Sequence, residues 1–252
     1  MLFLLRKIRR KLLTDNKVKT YMLYAVGEVF LVVVGILIAV SIDNWNDLRN
    51  SKLQSYVYLQ RLGEDVQAIL MDVNSSWEGT KTRLENSIIT KEALLAQELE
   101  ESKKPNFDQY LIQYYQYFIS IKESNTYNEM LSAGELSLIE NRWIRDAFAE
   151  LADDRNFILE VNLSFHNKAI QDADKFEKYV RYDIQDHGTD SSVVTPTYDF
   201  QAMTADPTFC NLISFQARTW NVILGMYGEY YKDLFQLNDS IQSELVKIKK
   251  NN

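Results

Sequence analysis

Apolar side chains run almost unbroken from Tyr21 to Ile42, YMLYAVGEVFLVVVGILIAVSI, with Glu28 the one acid among them. A bilayer core takes about 20 apolar residues as a helix. A run of Val, Ile, Leu, Gly and Ala without Pro satisfies its own backbone there. The pattern changes on both sides. Upstream, Leu5, Ile8 and Leu12 recur at helical spacing with Arg6, Lys7, Arg9, Arg10 and Lys11 between them. That predicts a short basic amphipathic helix over 2–13, lying on headgroups. Downstream, from Asp47 to Glu101, Tyr56, Leu59, Val66, Leu70, Val73, Trp77, Leu84 and Ile88 recur at spacings of three and four or their sums. This is the period of one long amphipathic helix. Gly63 and Gly79 are expected to bend it.

Lys103-Lys104-Pro105-Asn106 ends that helix. A second is predicted over 107–121, with the aromatic cluster Tyr110, Tyr114, Tyr115, Tyr117 and Phe118 as core. Thr126 and Glu129 have capping-box spacing for a short helix that closes at Gly134. Asn141 opens a long helix to about 186, carrying Trp143, Ile144, Phe148, Leu151, Phe157, Ile158, Val161, Phe165 and Ile170. Residues 187–208, with Pro196 and Pro207, read as a loop. A last helix is predicted over 209–249, with Leu212, Phe215, Trp220, Leu224, Tyr227, Tyr231, Leu234, Ile241, Leu245 and Ile248. Eight glycines and three prolines are too few for a many-stranded fold, whose turns recur roughly every 8–12 residues. The predicted fold is all-α: a single N-terminal transmembrane helix followed by a long-helix antiparallel bundle. Its parts are a basic cytoplasmic segment over 1–20, the span over 21–42 and a periplasmic helical bundle over 43–252.

Charge orients the span. The chain has 28 basic and 35 acidic side chains. Seven of the basic groups but only one acid, Asp15, fall in residues 1–20. Cationic flanks stay in the cytoplasm, so the bulk of the chain is expected outside, and the basic end suits anionic lipid. A cleaved signal peptide, with Ala39 and Ser41 as its small pair, is the alternative. The acidic remainder excludes a nucleic-acid partner, which needs a basic face. One cysteine, Cys210, excludes an intrachain disulfide and is expected to be a small buried hydrophobe.

The candidate contact residues lie in the span. At 100° per residue Gly35 and Ala39 fall within about 20° of Glu28. Small residues four apart let helices approach closely, and an acid facing lipid is costly. Glu28, Gly35 and Ala39 are therefore candidates for a helix–helix contact, between copies or with a partner membrane protein. The other reading has Glu28 snorkelling to headgroups. Trp45 is a candidate interfacial anchor. No catalytic, cofactor or metal residue is assigned. There is no HExxH, CxxC, GxSxG, phosphate-binding glycine loop or Glu-x-x-His. His166 and His187 are expected to be structural, and the pairs Glu64-Asp65 and Asp153-Asp154 point apart on a helix.

The basic N-terminus, AVGEVFLVVVGILIAVSIDNWND and NTYNEMLSAGELSLIENRWIR together resemble an uncharacterised family of bacterial single-span membrane proteins. The family pattern is a GE…G…A span, an NNWN-like tract and a later TY…L…SG-x-L-x-x-I tract. It is matched at Gly27, Glu28, Gly35, Ala39, Asn44, Trp45, Asn46, Thr126, Tyr127, Leu131, Gly134, Leu136 and Ile139. Asp43, Met130 and Ala133 stand where Asn, Leu and Ser are commoner. The resemblance implies the inner membrane of a two-membrane bacterium and no particular activity. Three functions follow as expectations: a membrane-anchored bundle acting by protein contact, a ligand-sensing bundle signalling through a partner, and a carboxylate enzyme. A filled apolar core favours the first and a pocket with converging polar groups the second. A clustered acid pair with a metal favours the third.

Overall fold

The computed structural model describes residues 18–117, 120–185 and 193–250. The basic segment expected over 2–13, Phe118 and His187 lie outside them. Helix α1, Val18–Ala96, is continuous for 79 residues and crosses the boundary between two compact units, Met1–Ser55 and Tyr56–Asn252. In the first unit no described side chain from Met22 to Gln54 is buried. An 18-residue window there has mean hydropathy 2.6 and no described residue covering it. The helix is thus long and apolar enough to cross a membrane.

In the second unit α1 turns a heptad seam inward: Leu59, Leu62, Val66, Ile69 and Val73 are buried at alternating spacings of three and four. Helix α2 is Lys104–Gln113, α3 Asn125–Ala133, α4 Arg142–Gln171 and α5 Ala173–Glu177. Strands β1, Val180–Gln185, and β2, Val193–Tyr198, follow, then α6, Phe200–Thr204, and α7, Pro207–Lys250. Helix α7 presents a seam of the same kind through Trp220, Ile223, Tyr227, Tyr230, Leu234, Leu237 and Ile241. Gly63 lies beside Ile241 and Gln242, Trp77 stacks on Tyr231 at 5.9 Å, and Arg83 lies over Trp220. Those pairings descend one helix while ascending the other, so α1 and α7 are antiparallel. Phe148 and Leu151 share a wall with Tyr230 and Leu234, whereas Phe165 and Ala169 lie beside Phe215 and Gln216. Helix α4 is therefore antiparallel to α7 as well. Each large side chain buried in this core is worth about 1.5–3 kcal/mol.

A second apolar cluster joins the end of α1 to the hairpin. Phe107, Tyr110, Leu111, Tyr114, Phe176 and Phe209 are buried in it, and Tyr114 stacks on Phe176 at 3.6 Å. The aromatic run in and after α2 is core as expected at Tyr110, Tyr114 and Tyr117, while Tyr115 is exposed.

The fold departs from the sequence reading at several points. Helix α4 stops at Gln171, well short of 186. Asp172 then bonds Lys168 and Lys175, a single helical turn follows, and the chain becomes extended. Over 180–185, Val, Tyr and Ile alternate with Arg, Asp and Gln, a period of two that favours a strand. Residues 193–198, expected as loop, pair with it antiparallel from Val180↔Tyr198 to Gln185↔Val193. The Asp199 N–H donates to the Tyr179 carbonyl just beyond the ladder. By alternation Pro196, opposite Tyr182, then takes a position whose nitrogen points away from β1, so no ladder bond is lost. Helix α2 ends at Gln113, eight residues early. Gly63 and Gly79 do not interrupt α1. Trp143, Phe157, Ile170 and Phe215, assigned to the core by their period, are exposed.

Candidate functional site

The residues singled out in the span share one continuous helix. Glu28, Gly35 and Ala39 are all exposed on it, and a Cβ added at Gly35 would meet nothing within 4 Å. Val34, Leu37, Ile38, Ser41, Ile42 and Trp45 form a shallow apolar surface beside them. Ser41 donates its hydroxyl to the Leu37 carbonyl at 2.7 Å, which satisfies that polar group without water. Trp45 is 63% exposed, with the Arg49 guanidinium 6.0 Å from its ring centre.

The second conspicuous tract of the sequence, from Ser124 to Ile139, is docked on α1 by side chains of that helix. Asp65 accepts from the Ser124 hydroxyl at 2.8 Å and from the Thr126 N–H at 2.9 Å. Ser124 in turn accepts from the Tyr127 N–H and is the N-cap of α3. The expected capping box at Thr126 and Glu129 is thereby corrected. Thr126 is inside the helix and buried, and Glu129 is drawn away to Arg61 of α1 by a two-pronged ion pair. One turn N-terminal on α1, Tyr58 donates to Glu135. Two turns beyond Asp65, Asp72 accepts from the Lys122 N–H at 3.1 Å. Gly134 adopts φ 73°, and the Glu135 N–H reaches the Met130 carbonyl at 2.9 Å, which closes α3 as a Schellman cap. Tyr127 stacks on Phe148 at 5.1 Å, and Met130 and Ile139 are fully buried. Leu131 points out, 54% exposed.

A family model of unknown function, DUF6090, matches residues 28–191. The chain belongs to the DUF6090 family. The DUF6090 match begins at Glu28, takes in Gly35, Ala39 and Trp45, and contains the whole docked tract. It leaves α7, which closes the core, outside. No curated protein and no solved structure matched the chain. For a DUF6090 chain the docked tract has a direct physical reading. Its Tyr and Ile positions pack one short helix into the core and its Gly closes it, so the pattern describes packing, with Leu131 the exception.

Where α3 meets α4 and α7, the bundle leaves a half-open cavity of ≈ 170 Å³. Ile69, Tyr127, Phe148, Leu151, Tyr230 and Leu234 make its floor; Lys122, Glu123, Asn128, Arg155 and Asn156 make its rim. Arg155 donates its Nε to the Ile121 carbonyl at 2.7 Å, and its Nη1 lies 2.9 Å from Glu123. Burial pushes the Tyr230 hydroxyl up to about 12.

The other sequence candidates take structural positions. His166 Nδ1 lies 2.9 Å from the Tyr115 carbonyl oxygen. Cys210 is half-buried with its thiol toward the Met203 carbonyl, and burial raises its pKa. Asp65 caps α3, whereas its neighbour Glu64 is exposed. Among the described residues no group of three or more His, Cys, Asp or Glu is arranged to hold a metal ion.

Proposed function

We propose that this chain is a single-span membrane protein whose helical unit acts by contact with another protein at the membrane. The observation that carries the reading is the bare apolar stretch of α1. No described residue covers its most apolar 18-residue window, so lipid and a neighbouring helix are its natural partners. Glu28, Gly35 and Ala39 supply a stripe on which such a neighbour packs, either a second copy or a different protein. The charge asymmetry around the span puts residues 1–20 in the cytoplasm and residues 43–252 on the far side of a bacterial inner membrane. Trp45 sits at the outer headgroups in this arrangement. The long apolar seams of α1 and α7 suit a scaffold for contact.

Two measurements test the proposal. A C-terminal reporter that is active only after export is expected to be active, and cytoplasmic activity would reverse the orientation. A membrane two-hybrid assay of residues 20–45 is expected to show association. Gly35→Leu and Glu28→Leu should weaken it, the latter by about 1 kcal/mol, while Val33→Leu on another face should not. Equal association of all three variants would reject the stripe. Loss in Gly35→Leu alone would mean that Glu28 snorkels.

A further inference from the structure

We infer that the cavity between α1, α3, α4 and α7 binds a small monocarboxylate whose apolar body is about the size of one six-membered ring. This goes beyond anchoring and contact, and it concerns a different unit of the chain. Size limits the body. The cavity measures ≈ 170 Å³, and an apolar cavity of about 150 Å³ holds benzene. Ile69, Phe148, Leu151 and Leu234 line the floor and offer such a body only dispersion contacts.

The rim selects the head group. Its one carboxylate is already occupied: Glu123 takes Arg155 Nη1 at 2.9 Å and Asn128 Nδ2 at 3.0 Å. The nearby carboxylates of Asp65 and Asp72 are engaged by the backbone N–H groups of Thr126 and Lys122. Three donors face the cavity uncommitted among the described residues. Arg155 uses Nε and Nη1 on Ile121, Asn156 and Glu123, which leaves Nη2. The Lys122 ammonium is exposed and takes part in none of the ion pairs of the described residues. Tyr230 is the decisive group. It is only 4% exposed and lines the cavity, yet its hydroxyl donates to no described residue. It is not one of the sealed-off polar atoms of the core, so it stands open to the cavity and free to donate to a bound head group. Two cations against one acid on the rim match a single negative charge, which favours a carboxylate over a dianion such as a phosphate monoester.

The test uses the full chain in lipid nanodiscs, with empty nanodiscs as the blank. Benzoate, phenylacetate and 3-methylbutanoate are titrated by calorimetry, and benzylamine serves as the cationic counterpart. At least one carboxylate is expected to bind, and benzylamine is not. The double variant Lys122→Gln/Tyr230→Phe removes only donors and keeps the floor, so it should bind at least tenfold more weakly with an unchanged unfolding midpoint. Ala152→Trp, which fills the cavity from its wall, should abolish binding. The inference is overturned if none of the three carboxylates binds, if benzylamine binds as well as they do, or if both variants bind like the parent. None of these outcomes bears on association through Gly35.

Discussion

Gly63 and Gly79 lie in one helix and do different work. A Cβ at Gly63 would sit 3.3 Å from Gln242 Nε2 and 3.4 Å from Ile241 Cγ2. Its absence brings α1 and α7 together. At Gly79 a Cβ would meet only the flexible Arg83 guanidinium of its own helix, so the glycine there costs helix propensity without a packing return. Gly79→Ala is expected to stabilise the protein by about 0.5–1 kcal/mol. Gly63→Leu is expected to destabilise it, because the side chain has no room without displacing α7. Thermal unfolding of the two variants checks both, and a stabilised Gly63→Leu would mean that the α1–α7 approach is looser than described. The sequence marked both positions as weak points of a helix. Only the neighbouring chain separates them, since propensity is local and steric room is not.

At the scale of the element, the joints between helices rest on carboxylates. Asp206 precedes Pro207 and accepts from the Thr208 and Phe209 N–H groups, from the Tyr179 hydroxyl and from Lys178. Hydrogen bonds from Tyr179 and then Lys178, with those two N–H groups, hold its carboxyl well below the usual range. Burial pushes Asp172 upward, but hydrogen bonds from Lys168 and Lys175 outweigh it and leave that carboxyl low as well. A carboxyl with a lowered folded pKa contributes stability that is complete above its unfolded pKa, about 3.9. That contribution is lost as pH falls through the folded value. Stability is therefore expected to drop as pH is lowered below about 4. Asp206→Asn, which keeps a cap but no charge, should show a shallower drop. Denaturant unfolding at pH 7, 4 and 3 measures this; parallel curves for variant and parent would remove Asp206 from the account. The same joints explain the hairpin. Residues 180–185 carry a legible period of two, but β2 contains Pro196, and a two-stranded sheet is stable only where something covers it. The cover comes from α2, through Tyr198 to Asp108 at 2.7 Å and Tyr182 to the Leu111 carbonyl at 2.8 Å. Those partners lie about 70 to 90 residues away along the chain, beyond any local pattern.

The whole molecule divides where burial begins. Up to Gln54 α1 carries no buried described side chain, and from Leu59 its seam is covered. Residues 56–252 expressed alone are expected to be soluble and mostly helical in circular dichroism, since both apolar clusters lie within them. A strand-dominated spectrum, or aggregation at low concentration, would show that the span is needed for folding.

What the sequence determined by itself is what periodicity and hydropathy encode locally. The apolar run before Asp43, the helical period of α1 and α7, the Asn141 cap and the Gly134 stop are each written in a few neighbouring residues, though the period did not single out Leu62, Ile69, Ile223, Tyr230 or Leu237, which complete the buried seams. Membership of the DUF6090 family is legible in the same tracts. Tertiary structure decided everything that needs two distant segments at once. Phe157 and Ile170 have helical spacing yet face outward, because a period names a face and only a partner helix covers it. Asp65 became a cap for α3 because 61 residues separate it from the Thr126 N–H in sequence and none in space. The cavity beside Tyr230 exists because four segments meet there without filling it, and no property of any one of them foretells a void.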